Sequence, residues 1–156
     1  MAGASMYESS EPWNPGRPDT VIISCTDGRW RGHIQEFALN HLKADPHADV
    51  LAVPGGIEPL TLVDHVPKDF NFFRRRLESL VEGHGTRRIV AIAHQDCGWY
   101  KTRTVLSLKI DLRERQIADL RRAAARLREM LPNVAVETYF ARLDGQDPQR
   151  VVFEAV

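Results

Sequence analysis

Short apolar runs rich in β-branched residues alternate along this chain with longer stretches whose apolar positions recur every three or four residues. Residues 20–25, with Val21, Ile22 and Ile23 in a row, and residues 88–93, with Ile89 to Ala93 unbroken, predict strands buried on both faces. Residues 49–53 predict another, stopped by Pro54-Gly55-Gly56. Val134, Val136, Thr138 and Phe140 alternate through residues 133–140. Gly145-Gln146-Asp147 then turns the chain into a last strand over 150–155, a hairpin with the one before. Helical spacing joins Ile34, Phe37, Ala38 and Leu42, ending near Ala44-Asp45-Pro46. It also joins Val66, Phe70, Phe73, Leu77, Leu80 and Val81, closed by Gly83-His84-Gly85. A third helix follows Ile117, Leu120, Ala124, Leu127 and Leu131 as far as Pro132.

This order predicts an α/β fold: a mainly parallel central sheet of four strands plus one antiparallel edge strand, with helices on both faces. Residues 1–18, holding Pro12, Trp13, Pro15 and Pro18, read as an irregular N-terminal arm. Residues 19–156 read as a single domain, a normal size where domains commonly run about 100–200 residues. In such sheets ligands collect beyond the carboxyl ends of strands where the strand order reverses.

Composition changes this picture only by exclusion. With 21 basic and 21 acidic residues the formal net charge is zero, which argues against nucleic acid as a partner. No apolar run approaches the ~20 residues that cross a bilayer, so no membrane partner is expected. The N-terminal stretch has neither a basic start nor an apolar centre, hence the expectation of no signal peptide and a cytoplasmic location. In that compartment, two cysteines are more often metal-binding or reactive than disulfide-bonded.

Both cysteines stand where the sheet would place a ligand. Cys25 ends the first strand, and His94-Gln95-Asp96-Cys97-Gly98 follows the third. Two thiols and an imidazole suit zinc, with the fourth position left for water or substrate. If the two strands are neighbours, all three donors project into one crevice. Asp27 and Arg29 follow Cys25 at alternate positions, which in an extended strand end turns all three to one side. An arginine beside Asp27 keeps its carboxylate ionised and oriented, plausibly through a bidentate pair, with a lone pair left for a water at the metal. The remaining histidines (His33, His41, His47, His65, His84) show no ligand spacing and are expected at the surface.

Cys25-x-Asp27-x-Arg29 followed by His94-x-x-Cys97-Gly98 resembles the zinc signature of the β-class carbonic anhydrases, over roughly residues 16–156. The resemblance implies zinc held by Cys25, His94 and Cys97, with Asp27 and Arg29 catalytic beside the open position. It also implies reversible hydration of carbon dioxide to bicarbonate, and a homodimer or larger homo-oligomer with the site near the subunit interface. In some members the aspartate closes onto zinc as the fourth ligand.

Departures from the family pattern fall on the substrate side. The family's glutamine before the first strand is replaced by Pro15-Gly16-Arg17-Pro18, its pocket aromatic by Leu51, and its Arg-Asn-Ala-Gly loop by Pro54-Gly55-Gly56. Gly28 stands where serine is usual, and the long helical arm is reduced to a stub. Leu51, Gly55 and Gly56 are therefore the candidate substrate-side residues. Backbone donors of the Gly55-Gly56 turn would meet an anion, or the turn simply ends a strand. Three alternatives stand beside carbonic anhydrase: a zinc hydrolase of carbon disulfide or carbonyl sulfide, a non-catalytic zinc-binding or regulatory protein, and a redox dithiol. Trp99 and Tyr100 are placed at the pocket wall or a dimer contact. The arginines Arg74 to Arg76, Arg121, Arg122, Arg126 and Arg128, with Glu78, Glu82, Asp119 and Glu129 among them, read as solvated helix faces.

Overall fold

The computed structural model describes residues 6–44, 46–62, 66–104 and 111–156, with the side chains of 103 and 104 excluded. Residues 1–5 of the expected arm, Asp45 at the expected end of the first helix, and His65 lie outside the described residues. The elements run β1 (Thr20–Ser24), α1 (Gly28–Asn40), β2 (Asp49–Ala52), a single 3₁₀ turn (Glu58–Leu60), α2 (Pro67–His84), β3 (Arg88–His94), α3 (Gly98–Thr104), α4 (Leu112–Met130), β4 (Ala135–Leu143) and β5 (Val151–Ala155). They form one five-stranded sheet in the order β2-β1-β3-β4-β5. All pairs are parallel except β4 with β5, which is antiparallel. This is the expected α/β architecture.

Alternation along the strands divides the core in two. On one face Ile22, Val90, Ile92 and Ala141 receive Trp30, Ile34 and Ala38 of α1, with Leu42 just beyond its end. On the other, Val21, Ile23, Ile89, Ala91 and Phe140 receive Phe73 and Leu77 of α2 and Leu120, Ala123 and Leu127 of α4. Being covered on both faces, β1 and most of β3 are buried throughout, which is why they read as unbroken apolar runs. Pro67 opens α2 at a position where a missing N–H costs nothing, and α2 ends at Gly85.

From β1 the chain goes to β2 on one side and then crosses to β3 on the other. The carboxyl ends of β1 and β3 thus flank the point where strand order reverses, and Cys25 and His94 stand there. The strand pairing brings Ile23 beside Ala91, in parallel register. Outside this framework, residues 6–17 are irregular and exposed, and Trp13 is 88% exposed and thus not docked. His33, His41, His47 and His84 are exposed, as expected. Among the described residues, no helix is long and apolar enough to cross a membrane.

Candidate metal centre

Cys25 is the first residue past β1, His94 the last of β3, and Cys97 precedes α3. One ligand atom from each lies within 4.8 Å of the other two, the only such group among the described residues. The two sulfurs are 3.9 Å apart. Two sulfurs each about 2.3 Å from a tetrahedral cation would stand about 3.8 Å apart, so the observed separation fits.

The imidazole is prepared in the same sense. His94 is 2% exposed, and its Nδ1 donates to the Gln95 carbonyl oxygen at 2.8 Å. That bond fixes the proton on Nδ1 and leaves a lone pair on Nε2, which is buried with no hydrogen-bond partner among the described residues. A buried acceptor without a donor is costly, and a cation at the centre of the three ligands removes the cost. Residue by residue, the donor set fits zinc.

Backbone donors converge on the sulfurs. Cys25 receives N–H groups from Asp27 and Gly55, and Cys97 receives those of Tyr100 and Trp99 at the start of α3. Cys97 Sγ donates to Cys25 Sγ, and this bond more than any other factor holds the Cys25 thiol far below its usual range. The same bond, reinforced by burial, pushes the Cys97 thiol up. Asp96 between the ligands has φ +61° and turns outward, exposed, to pair with Lys101.

Asp27 and Arg29 meet, but by another route than an extended strand end. Asp27 is the N-cap of α1, its Oδ1 accepting the Arg29 N–H at 3.1 Å, and Arg29 lies in the first turn. Arg29 Nε reaches Oδ1 at 3.0 Å and Nη2 reaches Oδ2 at 2.6 Å, a bidentate pair. The Asp27 carboxylate is bonded to Arg29 and is not one of the mutually close ligand atoms.

The guanidinium holds the Asp27 pKa down at about 2, from an ordinary 3.8. The folded state therefore binds fewer protons than the unfolded state between those values, and the pair's contribution is complete above pH about 4 and lost as pH falls through about 2. Urea unfolding of Asp27→Asn, which keeps the cap but not the charge, is expected to lose part of the wild-type decline in stability over that window. An unchanged decline would show that the pair is not linked to folding.

The substrate-side candidates sit as follows. Leu51 is half-buried and packs against the core cluster of the α2 and α4 face. Gly55 and Gly56 both have positive φ, +78° and +60°, and both are places of close approach. The Trp99 ring fills the space a Cβ on Gly55 would take, and a Cβ on Gly56 would stand 3.1 Å from the Cys25 nitrogen. Trp99 is 36% exposed, whereas Tyr100 is buried. Beside the centre, a cleft of about 550 Å³ is lined by Arg29, Trp30, Asp96, Gln116, Phe140 and Arg142, among others. None of the three ligand residues is in its wall, although Gln95 and Asp96 between His94 and Cys97 are.

One helix face departs from expectation. Asp119 is fully buried, not solvated, and accepts from Tyr100 Oη at 3.0 Å and from Arg122 and Arg115 at 3.0 and 3.2 Å. Gln116, also buried, donates from Nε2 to the His94 carbonyl oxygen at 2.9 Å. Sequence reasoning set Asp119 on a solvated face and passed over Gln116. Their spacing of three with Leu120, Ala123 and Leu127 beside them was the available signal, since it sets both on the inward stripe of α4.

Solved β-carbonic anhydrases share this fold. The isoform I enzyme of Trichomonas vaginalis superposes with a TM-score of 0.53 at 17% identity, covering 94% of this chain and 87% of that one. A β-carbonic anhydrase of Sordaria macrospora, described as tetrameric, gives 0.53 at 18% identity over 88% and 81% of the two chains. An uncharacterized protein of Rickettsia conorii is 25% identical over 134 residues, 81% of this chain and 68% of the relative. The family described as "Putative carbonic anhydrase" matches residues 17–150, and the chain belongs to that family.

Proposed function

We propose that this chain is a zinc enzyme of the β-carbonic anhydrase type, hydrating carbon dioxide reversibly to bicarbonate. The observation that carries the reading is the convergence of Cys25, His94 and Cys97, with a buried Nε2 that lacks a partner among the described residues. Cys25, His94 and Cys97 would hold the ion. Zinc, when bound, supplies Lewis acidity, bringing the pKa of water toward about 7 so that a nucleophile exists at neutral pH.

The protein's own groups supply the rest. The bond from Nδ1 to the Gln95 carbonyl keeps the imidazole in its ligating tautomer. Asp27, ionised throughout the neutral range, would accept a hydrogen bond from the reacting water, and Arg29 holds the carboxylate still for it. Two thiolates would offset the charge of a bound cation and weaken its pull on water, which would make that fixed acceptor more useful. Leu51, Gly55 and Gly56 form the substrate side. The remaining assignments are a cytoplasmic homodimer or larger homo-oligomer, with a small molecule as substrate and neither nucleic acid nor membrane as partner.

Stopped-flow measurement of carbon dioxide hydration by zinc-loaded protein tests the activity. A rate above buffer background, lost on chelation, is expected; a rate at background would reject it. The altered loop at Pro54-Gly55-Gly56 favours a second reading, hydrolysis of carbon disulfide or carbonyl sulfide by the same centre. Sulfide release in the absence of carbon dioxide hydration would select it.

A further inference from the structure

Helix α4 lies against the segment that carries two of the three donors, and it meets that segment with polar side chains. Gln116 and Asp119, 1% and 0% exposed, stand three residues apart on the stripe otherwise made of Leu120, Ala123, Ala124 and Leu127. Gln116 Nε2 grips the backbone carbonyl of His94 at 2.9 Å. Asp119 Oδ2 accepts the Tyr100 hydroxyl at 3.0 Å, and Tyr100 supplies one of the backbone N–H groups directed at the Cys97 sulfur. Asp119 is itself fixed by Arg115 Nε at 3.2 Å and Arg122 Nη1 at 3.0 Å.

Burying an amide and a carboxylate on an apolar helix face costs desolvation that leucine or methionine would not incur. For folding alone, apolar residues would serve there at least as well. What the polar pair adds is direction: one bond fixes the end of β3 at His94, the other fixes α3 just past Cys97. We infer that Gln116 and Asp119, the latter through Tyr100, are positioning residues that hold His94 Nε2 and Cys97 Sγ at the spacing a cation needs. This inference rests on the reading of Cys25, His94 and Cys97 as a metal site, and extends it to a helix that contributes no ligand.

Two mild variants test it. Tyr100→Phe removes one hydroxyl, and Gln116→Met keeps the side-chain length while removing the donor to His94. Zinc affinity is measured by competition with a chromophoric chelator, alongside the visible spectrum of the Co(II)-loaded protein and thermal unfolding in excess chelator. Each variant is expected to bind zinc about 10–100-fold more weakly, the usual effect of losing a group that orients ligands, and to shift the cobalt bands. Arg121→Gln, an exposed change on α4 outside these bonds, is expected to stay within about twofold of wild type. A merely structural role would lower the metal-free unfolding temperature and leave affinity and cobalt spectrum unchanged; that result in both variants would overturn the inference alone. Wild-type protein that takes up no zinc would overturn the metal site, and the inference with it.

Discussion

Cys97→Ser is expected to abolish zinc retention: metal analysis after dialysis against a chelator should fall from about one ion per chain to near none. The change is almost isosteric, and Cys97 is 1% exposed in a turn held by backbone bonds, so the fold should survive it. What is lost is chemical. A thiolate is available in this pair because one sulfur donates to the other at 3.9 Å and backbone N–H groups point at both. A serine hydroxyl in the same place does not ionise near neutral pH and is a poor partner for a borderline-soft cation. With two donors left, His94 Nε2 and Cys25 Sγ, chelation is too weak to compete. Circular dichroism of the variant separates loss of metal from loss of fold. Stoichiometric zinc in folded Cys97→Ser would remove Cys97 from the ligand set, and with it the proposed chemistry.

The positions of the three donors were legible because they lie at ends of strands that the sequence marks strongly. Val21 to Ile23 and Ile89 to Ala93 are covered on both sides, so their apolar runs are unbroken and their ends sharp. Other features left weaker marks. Helix α3 has only seven residues, begins with glycine and contains two threonines, so it shows no apolar period. Asp27 was placed by strand alternation, although it caps α1; the pair with Arg29 forms either way, since both geometries bring residues two apart into reach. Asp119 looked solvated because arginines surround it in sequence. In the fold Arg115 and Arg122 pair with a carboxylate that the helix period alone would have buried. Charge composition identifies the type of residue on a helix, while only the period says which way it faces.

The turn after β2 yields the second large effect, and it concerns the same centre from its opposite wall. Gly55→Ala is expected to destabilise the protein by about 2–5 kcal/mol, the sum of two costs. An L-residue at φ +78° costs about 1–2 kcal/mol. The added methyl also lands against the Trp99 ring, 2.8 Å from Nε1, and overpacking of that kind costs about 1–3 kcal/mol. The two costs separate in a double-mutant cycle. Trp99→Ala in the Gly55→Ala background removes the clash but not the backbone strain, so the pair should be less destabilising than the sum of the single changes by about 1–3 kcal/mol. Urea unfolding in excess chelator measures this without a contribution from bound metal. Additive effects would mean that Trp99 does not rest on Gly55 in solution. The same substitution displaces the Gly55 N–H from the Cys25 sulfur, so zinc affinity should fall in Gly55→Ala and recover in the double variant to the extent that the turn regains its path. A glycine turn that reads as a substrate loop thus also holds the first ligand from behind, which ties any change made there for the sake of substrate to the metal itself.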